Sequence, residues 1–348
     1  MATSYVSPPR RLRAGFTLVE LLVAMAVLAL ILVLVGQIIS HTSSTIGSST
    51  RNISVDQMAG TVLDRIGAEL SAMVTKGPAT LIAIKNTSGS DGLAFVSNGR
   101  GEDLGYATNS IRLSVWGCGV APQSDYVASG STSTALPMVC LGSGALLFNG
   151  TNGSWEQATT NMLISNTVLQ AAANDVSNWM SATAPVTTAG AGLGAPEPLN
   201  LGTFRLEVCF LRSDGQLING SGTSTNALPL NKNFLSSAAA GSVTQYPVAF
   251  NAKDTNLYDA NGNPLYVRAI VVGIAVIDPQ SQKQLGPTLL NKLSSTNVFP
   301  KAADGQSPLQ AWDFSRVNSS PVTYNQLSSI SPLALRYIHI YQRYFYVD

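Results

Sequence analysis

From Phe16 to Ile39 the sequence carries one charged residue, Glu20, in an otherwise almost wholly apolar run. At 1.5 Å per residue that stretch makes a helix of about 36 Å, longer than a hydrocarbon core of about 30 Å. Only a helix satisfies its own backbone in that setting, so the conformation follows from the solvent. The preceding Met1–Gly15 is short and polar, carries Arg10, Arg11 and Arg13, and contains no acid. Basic residues on that side place the leader in the cytoplasm and the rest of the chain outside. A general secretory signal is cut behind small residues after its apolar core. Val35-Gly36-Gln37 and Ser40-His41-Thr42 are poor sites for such a cut.

A carboxylate inside an apolar span is costly, and an intramembrane charge is a functional hypothesis by default. The plain alternative is that Glu20, near the membrane edge, snorkels to the headgroups. That alternative leaves unexplained why the leader ends in Gly15 directly before Phe16-Thr17-Leu18-Val19-Glu20-Leu21-Leu22.

Ala14-Gly15-Phe16-Thr17-Leu18-Val19-Glu20 resembles the prepilin signature of type IV pilins and type II secretion pseudopilins, over Arg10 to about Ile39. The resemblance implies that a prepilin peptidase cuts between Gly15 and Phe16, that Phe16 is then N-methylated, and that Glu20 governs assembly. Cleavage removes three arginines, leaving 17 basic against 19 acidic residues of the original 20 and 19. It also creates an α-ammonium on Phe16, which the Glu20 carboxylate of a neighbouring subunit can neutralise among packed apolar helices. Breaking a buried pair strands the remaining charge, so one contact would set both register and recruitment.

No proline occurs between Pro9 and Pro78. Val55, Met58, Ala59, Val62, Ile66, Leu70 and Met73 recur at helical spacing, with Asp56, Asp64, Arg65 and Glu69 largely between them. The pattern predicts a long helix from Phe16 to about Thr75, ending at Lys76-Gly77-Pro78. Gly36, Gly47, Gly60 and Gly67 mark expected bends, and His41–Thr50 is expected to fray. Leader 1–15, transmembrane helix 16–39, helical continuation 40–76 and a β-rich domain 77–348 are the expected parts. After Pro78, strands are read at Leu81–Ile84, Leu93–Ser97, Ile111–Trp116, Leu136–Leu141, Ala145–Phe148, Thr203–Leu211, Leu217–Ile218, Tyr266–Asp278 and Tyr337–Val347. Asn161–Ala173 reads as strand or helix. The low-complexity stretches 182–200 and 219–245 read as long surface loops. The fold class is α+β: a long N-terminal helix, its first half in the membrane, packed on an antiparallel β-rich globular domain. The resemblance gives this the lollipop form of pilins, although an anchor followed by a stalk produces the same pattern.

Two later segments sharpen the resemblance. Leu201-Gly202-Thr203-Phe204-Arg205-Leu206-Glu207-Val208-Cys209-Phe210, followed by Asp214-Gly215, is similar to a strand and turn of J-type minor pseudopilins. Val267-Arg268-Ala269-Ile270-Val271-Val272-Gly273-Ile274 is similar to a second strand of that group, with Tyr266 where the group has another residue. The C-terminal Tyr341-Gln342-Arg343-Tyr344-Phe345-Tyr346 is similar to prepilin-like cassette proteins of Verrucomicrobia.

Other sites are weaker. Cys118 and Cys140 lie in β-like segments and make a candidate disulfide in an oxidising compartment, while Cys209 reads as a buried thiol. Asp254, Asp259 and Asn261 cluster oxygen ligands as a calcium loop does, but the twelfth position from Asp259 is Ile270. Asn261-Gly262 is a strong hairpin dipeptide, so a plain turn is the preferred reading and no metal is assigned. Gly190-Ala191-Gly192-Leu193-Gly194 lacks dinucleotide-loop spacing and reads as a flexible loop. His339 among Tyr337, Tyr341 and Tyr344 reads as packing, because no nucleophile pattern accompanies it.

Composition narrows the function class. In 348 residues 45% are hydrophobic and 11% charged, and the net charge is +1. That balance argues against a basic nucleic-acid face and against disorder throughout. With two histidines and three cysteines there is little material for a metal cluster or a His-based triad. No cofactor and no catalysis are expected. The expected protein is a prepilin-like filament subunit, most like a minor pseudopilin that primes or caps a pseudopilus in a type II secretion-like system. A type IV pilin for adhesion, motility or DNA uptake is the first alternative; a membrane-anchored envelope enzyme or binding module is the second. Expected partners are the prepilin peptidase, other pilin or pseudopilin subunits, an inner-membrane assembly platform and membrane lipid, with no nucleic acid. The location implied is the inner membrane, single-pass, with the C-terminal domain in the periplasm.

Overall fold

A computed structural model describes residues 17–75, 80–87, 89–98, 113–124, 135–146, 166–182, 186–200, 202–219, 228–232, 239–240, 243–294, 298–312 and 338–347. The chain divides into two compact units, Met1–Arg51 and Asn52–Asp348.

Helix α1 (Leu18–Ser71) begins in the first unit. Leu18 to Ile39 present their large apolar side chains to solvent, Leu18 at 78% exposure and Leu32 at 63%. α1 is the one described helix long and apolar enough to cross a membrane. It is unbroken through Gly36 and Gly47, and the expected fraying of His41–Thr50 does not occur. Hydroxyls there donate to carbonyls one turn back: Ser44 and Thr45 to His41 O (both 2.9 Å), and Thr50 to Ile46 O (2.9 Å). The polar side chains are thereby satisfied without opening the helix.

In the second unit α1 changes character. Val55, Ala59, Val62, Ile66 and Leu70 are buried, as the helical spacing predicts; Leu63 is buried as well, and so is Glu69, which the pattern set among the polar positions. The helix ends at Ser71, and Met73 then makes a bridge to Ser97, which ends it a few residues before the expected Thr75.

Strands β1 (Leu81–Asn86), β2 (Gly92–Ser97), β3 (Leu113–Ser124), β4 (Ala135–Leu146), β5 (Glu197–Pro198), β6 (Thr203–Arg212) and β7 (Leu217–Ile218) follow, with helix α2 (Asn166–Ser181) between β4 and β5. Then come β8 (Ala239–Ala240), β9 (Val243–Pro247), β10 (Leu257–Tyr258), β11 (Pro264–Leu265) and β12 (Val267–Ile277). Helix α3 (Pro279–Leu293), the single turn α4 (Pro308–Ala311) and β13 (Ile338–Tyr346) complete the described elements. One sheet has seven strands in the order β5-β4-β3-β2-β1-β9-β8, another four in the order β13-β12-β6-β7, and all their pairings are antiparallel. β10 and β11 form a separate hairpin.

Of the ambiguous Asn161–Ala173, the described part from Asn166 is helix. The strand read at 136–141 and the described residues 145–146 of the next one belong to one strand, β4, and residues 147–148 and 161–165 lie outside the described residues. The second low-complexity stretch is not all loop, since it contains β8 and most of β9. Helix α3 has no counterpart in the strand pattern. Its signal is Asp278-Pro279: the Asp278 carboxylate accepts from the Gln280 and Ser281 N–H groups (both 3.1 Å), with proline in the first turn.

Strand alternation divides the core. Ile82, Ile84, Ala94, Val96, Val115, Met138 and Cys140 face α2, meeting Leu169, Ala172, Ala173, Val176 and Trp179. The opposite face of the same sheet, with Leu81, Ala83, Leu93, Phe95 and Leu141, meets the buried stripe of α1. Leu206, Val208, Phe210, Ile270, Val272 and Ile274 of the four-stranded sheet join that second cluster. Helix α1 from Val55 onward is therefore core, held between strands of two sheets.

Candidate functional site: the head of helix α1 and its anchorage

Thr17 and Glu20 form a reciprocal cap at the head of α1. The Thr17 N–H and hydroxyl both donate to Glu20 Oε2 (2.9 and 3.0 Å), and the Glu20 N–H donates to Thr17 Oγ1 (3.3 Å). This is a capping box, and its sequence signal is Thr17-x-x-Glu20 ahead of an apolar run. That second role of Glu20 is invisible when it is read only as a charge in an apolar span. Thr17 and Glu20 are exposed, and no other hydrogen-bond partner touches the Glu20 carboxylate among the described residues. Gly15 and Phe16 lie outside the described residues.

The second half of α1 is tied to the end of the chain. Tyr341 donates its hydroxyl to Asp56, and Arg343 pairs with Asp64. His339 stands 4.0 Å from Asp56 and stacks on Tyr341, with ring centroids 6.2 Å apart. Alternation along β13 puts His339, Tyr341 and Arg343 on one side, toward α1. Burial and the Asp56 hydrogen bond push the Tyr341 phenol above its ordinary range. His339 therefore packs, as expected, in contact with the helix. Arg65 pairs with Glu69 (3.3 Å) and lies over the Trp116 ring at 5.4 Å.

A buried ionic cluster, which no sequence motif announces, joins the two sheets. Asp91, directly before β2, is fully buried and meets Lys85 (2.8 Å) and Lys301. Its Oδ2 also accepts the Val208 N–H (3.1 Å). Lys85 donates further to Asn219 Oδ1 (2.6 Å) and to the Val208 carbonyl. Glu207 accepts the Ala302 N–H (2.7 Å) and the Asn219 amide N–H (3.2 Å), with Arg205 3.5 Å from its other oxygen. The Arg205 guanidinium donates to the carbonyls of Ser294 (2.8 Å) and Phe299 (3.1 Å), pinning the chain after α3 against β6.

Each group is displaced from its ordinary titration for a stated cause. Burial alone would raise the Asp91 carboxyl, but Lys301 and Lys85 outweigh it and hold it at about 2. Burial pushes the Glu207 carboxyl up and the Lys301 ammonium down. Burial works against the Lys85 ammonium as well, but Asp91 beside it prevails and the pKa is raised. Arg205 and Glu207 are in the strand that resembles a J-type segment, where an apolar run with two charges read as strand and turn. Only the packing reveals that both charges are buried.

The candidate disulfide is corrected. Cys118 pairs with Leu141 and Cys140 with Gly119 across β3 and β4, so the two cysteines differ by one register position. Period-two alternation then sends their side chains to opposite faces of the sheet. Cys118 lies in the α1 cluster, Cys140 in the α2 cluster, and both are free and buried. Cys209 is a buried free thiol, as expected. Burial raises all three, Cys140 and Cys209 to about 12.

At the calcium candidate, Asp259 Oδ1 accepts the Asn261 and Asn263 N–H groups (2.8 and 2.7 Å), and its Oδ2 accepts the Asn263 amide (2.9 Å). Gly262, at φ 78°, takes the left-handed position of that turn, which joins β10 to β11. Asp259 thus serves the hairpin. Asp254 belongs to the preceding turn, where its N–H donates to Asn251 O (3.1 Å). Among the described residues no group of three or more His, Cys, Asp or Glu side chains is placed to hold a metal.

The loop at Gly190–Gly194 is anchored. Asp175 on α2 accepts the N–H groups of Ala191 (3.1 Å), Gly192 (2.6 Å) and Leu193 (2.8 Å), and Leu193 is buried.

Residues 10–36 match the family model of the prokaryotic N-terminal methylation motif. The match ends inside α1 and includes Thr17 and Glu20. It supports a prepilin-like subunit of the type IV pilin and pseudopilin kind. The apolar N-terminal helix fits a membrane anchor. No curated protein and no solved structure matches the chain.

Proposed function

We propose that this chain is made as an inner-membrane prepilin, cut between Gly15 and Phe16 by a prepilin peptidase, N-methylated on Phe16, and assembled as a minor pseudopilin that primes or caps a short pseudopilus. The observation that carries the reading is the match of the methylation motif to residues 10–36, at the head of an exposed apolar helix whose far half is core. The minor-subunit assignment draws its support from β6, the Asp214-Gly215 turn and β12, the segments that resemble J-type pseudopilins. β6 and β12 are neighbours in one sheet, and Gly215 holds φ 85° in the turn. The globular domain would lie in the periplasm, and the partners would be other pilin or pseudopilin subunits, the assembly platform and lipid. The protein has no catalysis of its own in this reading.

Assembly would work by exchange at Glu20. In the single chain its carboxylate is occupied by Thr17, an interaction that any nearby ammonium can replace. Packing among apolar helices removes solvent from the Phe16 ammonium, and a neighbour's Glu20 neutralises it. Mass spectrometry of the mature N-terminus tests processing: N-methylated Phe16 is expected, and a chain starting near Ser43 refutes it. Gly15→Leu should leave the precursor uncut. Glu20→Ala and Glu20→Gln should insert and be cut normally, yet fail to co-purify with the other filament subunits. Normal assembly and secretion in both variants would remove the charge-exchange mechanism.

A further inference from the structure

Three groups of the buried cluster stand in the order that side-chain amide formation requires. The Lys85 amine nitrogen, at the C-terminal part of β1, is 2.6 Å from the Asn219 carbonyl oxygen. The Asn219 amide nitrogen, directly after β7, is 3.2 Å from Glu207 Oε1 on β6. A nucleophile, a carboxamide and a carboxyl at the leaving nitrogen are therefore adjacent. The site is dry: Glu207 is 0% exposed, Asn219 2% and Lys85 8%. The Phe210 ring stands 5.7 Å from the amine. Glu207 Oε2 is buried and makes no hydrogen bond, with the Arg205 guanidinium 3.5 Å away.

We propose that Lys85 and Asn219 become joined by an intramolecular isopeptide bond, with Glu207 as the catalytic residue that relays the proton. The Lys85 ammonium first gives a proton to Asp91 Oδ2, 2.8 Å away. The Nζ lone pair then attacks Asn219 Cγ. The new Cγ–Nζ bond forms as the Cγ–Nδ2 bond breaks; Glu207 takes the further hydrogen that Nζ loses and returns one to Nδ2, and the departing ammonia carries off the proton held by Asp91. Ammonia leaves, and nothing is oxidised or reduced. Burial raises the Glu207 carboxyl, which favours its taking up and passing on a proton. Asp91 keeps most of Lys85 protonated, but the reaction happens once per molecule, and a minor amine population is enough. Holding amine and carbonyl in contact in a water-poor site replaces a bimolecular encounter with a positioned one, and it shields the product from hydrolysis.

The bond would tie the seven-stranded sheet to the four-stranded one, closing the chain between residues 134 positions apart. The inference is independent of the filament reading.

The test is a peptide map of the full-length protein, extracted in detergent and cut with chymotrypsin, which does not depend on lysine. The expected result is one joined species containing the Lys85 and Asn219 peptides, lighter than their sum by one ammonia. In Glu207→Gln the two peptides should separate at unmodified mass, and Lys85→Arg should do the same. Unmodified linear Lys85 peptide from the wild-type protein overturns the proposal, whatever the variants do. So does an unlinked Asn219 peptide lacking ammonia, because Asn219-Gly220 is a succinimide-forming dipeptide. Loss of water between Lys85 and Asp91 overturns it in favour of the other acceptor. Persistence of the link in a folded Glu207→Gln variant overturns the relay.

Discussion

Gly67 of α1 faces Phe345 of β13 so closely that a Cβ on the glycine would stand 2.6 Å from the ring. The C-terminal strand approaches the helix at a position where no side chain intervenes. Tyr341 and Arg343 hold Asp56 and Asp64 on the same stretch of helix. Gly67→Val should force the ring aside and lower stability by about 1–3 kcal/mol, as overpacking does. Gly60 lies on the same helix with nothing within 4 Å of its would-be Cβ. Gly60→Ala should therefore raise stability by about 1 kcal/mol through helix propensity alone. Thermal melts of the two variants should move in opposite directions.

Free thiols on opposite sheet faces set the redox behaviour. Reductant should leave the melting temperature unchanged. A thiol reagent should label none of Cys118, Cys140 and Cys209 in the native protein, and all three after denaturation. A melt that falls with reductant would mean that Cys118 and Cys140 share a bridge.

Asp91 should make the domain acid-sensitive. Its carboxyl, ordinarily near 3.8, is held at about 2 in the fold. A depressed carboxyl contributes stability above its unfolded pKa and loses it as pH falls toward the folded one. The contribution is about 2 kcal/mol. Urea unfolding should show it intact at about pH 5 and gone near pH 2, and Asp91→Asn should flatten that part of the profile.

Removing one partner of the same cluster is a different test. Lys301→Met leaves Asp91 buried with less compensating charge, and should cost roughly 3–5 kcal/mol in denaturant unfolding.

Asp175 organises the glycine loop, so Asp175→Ala should strand three N–H groups. A loss of about 1–3 kcal/mol is expected, together with faster hydrogen exchange at Ala191, Gly192 and Leu193.

Much of this architecture is visible along the chain because it depends on local periodicity. The Val55–Met73 spacing defines a helix face, and that face is buried. The β6 and β12 runs are largely apolar, with Arg205, Glu207 and Arg268 among them, and they pair. Helix α3 has a weak signal along the chain, because Gly286-Pro287 interrupts the segment that Asp278-Pro279 caps. The 219–245 stretch read as loop because composition does not reveal that Val243–Pro247 finds β1 as a partner.

At the head of α1, sequence alone determined what matters. An apolar run, a capping Thr17 and one carboxylate at Glu20 act through the adjacent turn and the surrounding solvent, and need no distant contact. Register and burial were decided only in three dimensions. One residue of offset between β3 and β4 separates Cys118 from Cys140. Lys85, Asp91, Glu207, Asn219 and Lys301 lie far apart in the chain and look like surface polar residues. They form one buried cluster because the two sheets close around them, and the energy of a buried charge depends on which groups the fold brings within hydrogen-bonding distance.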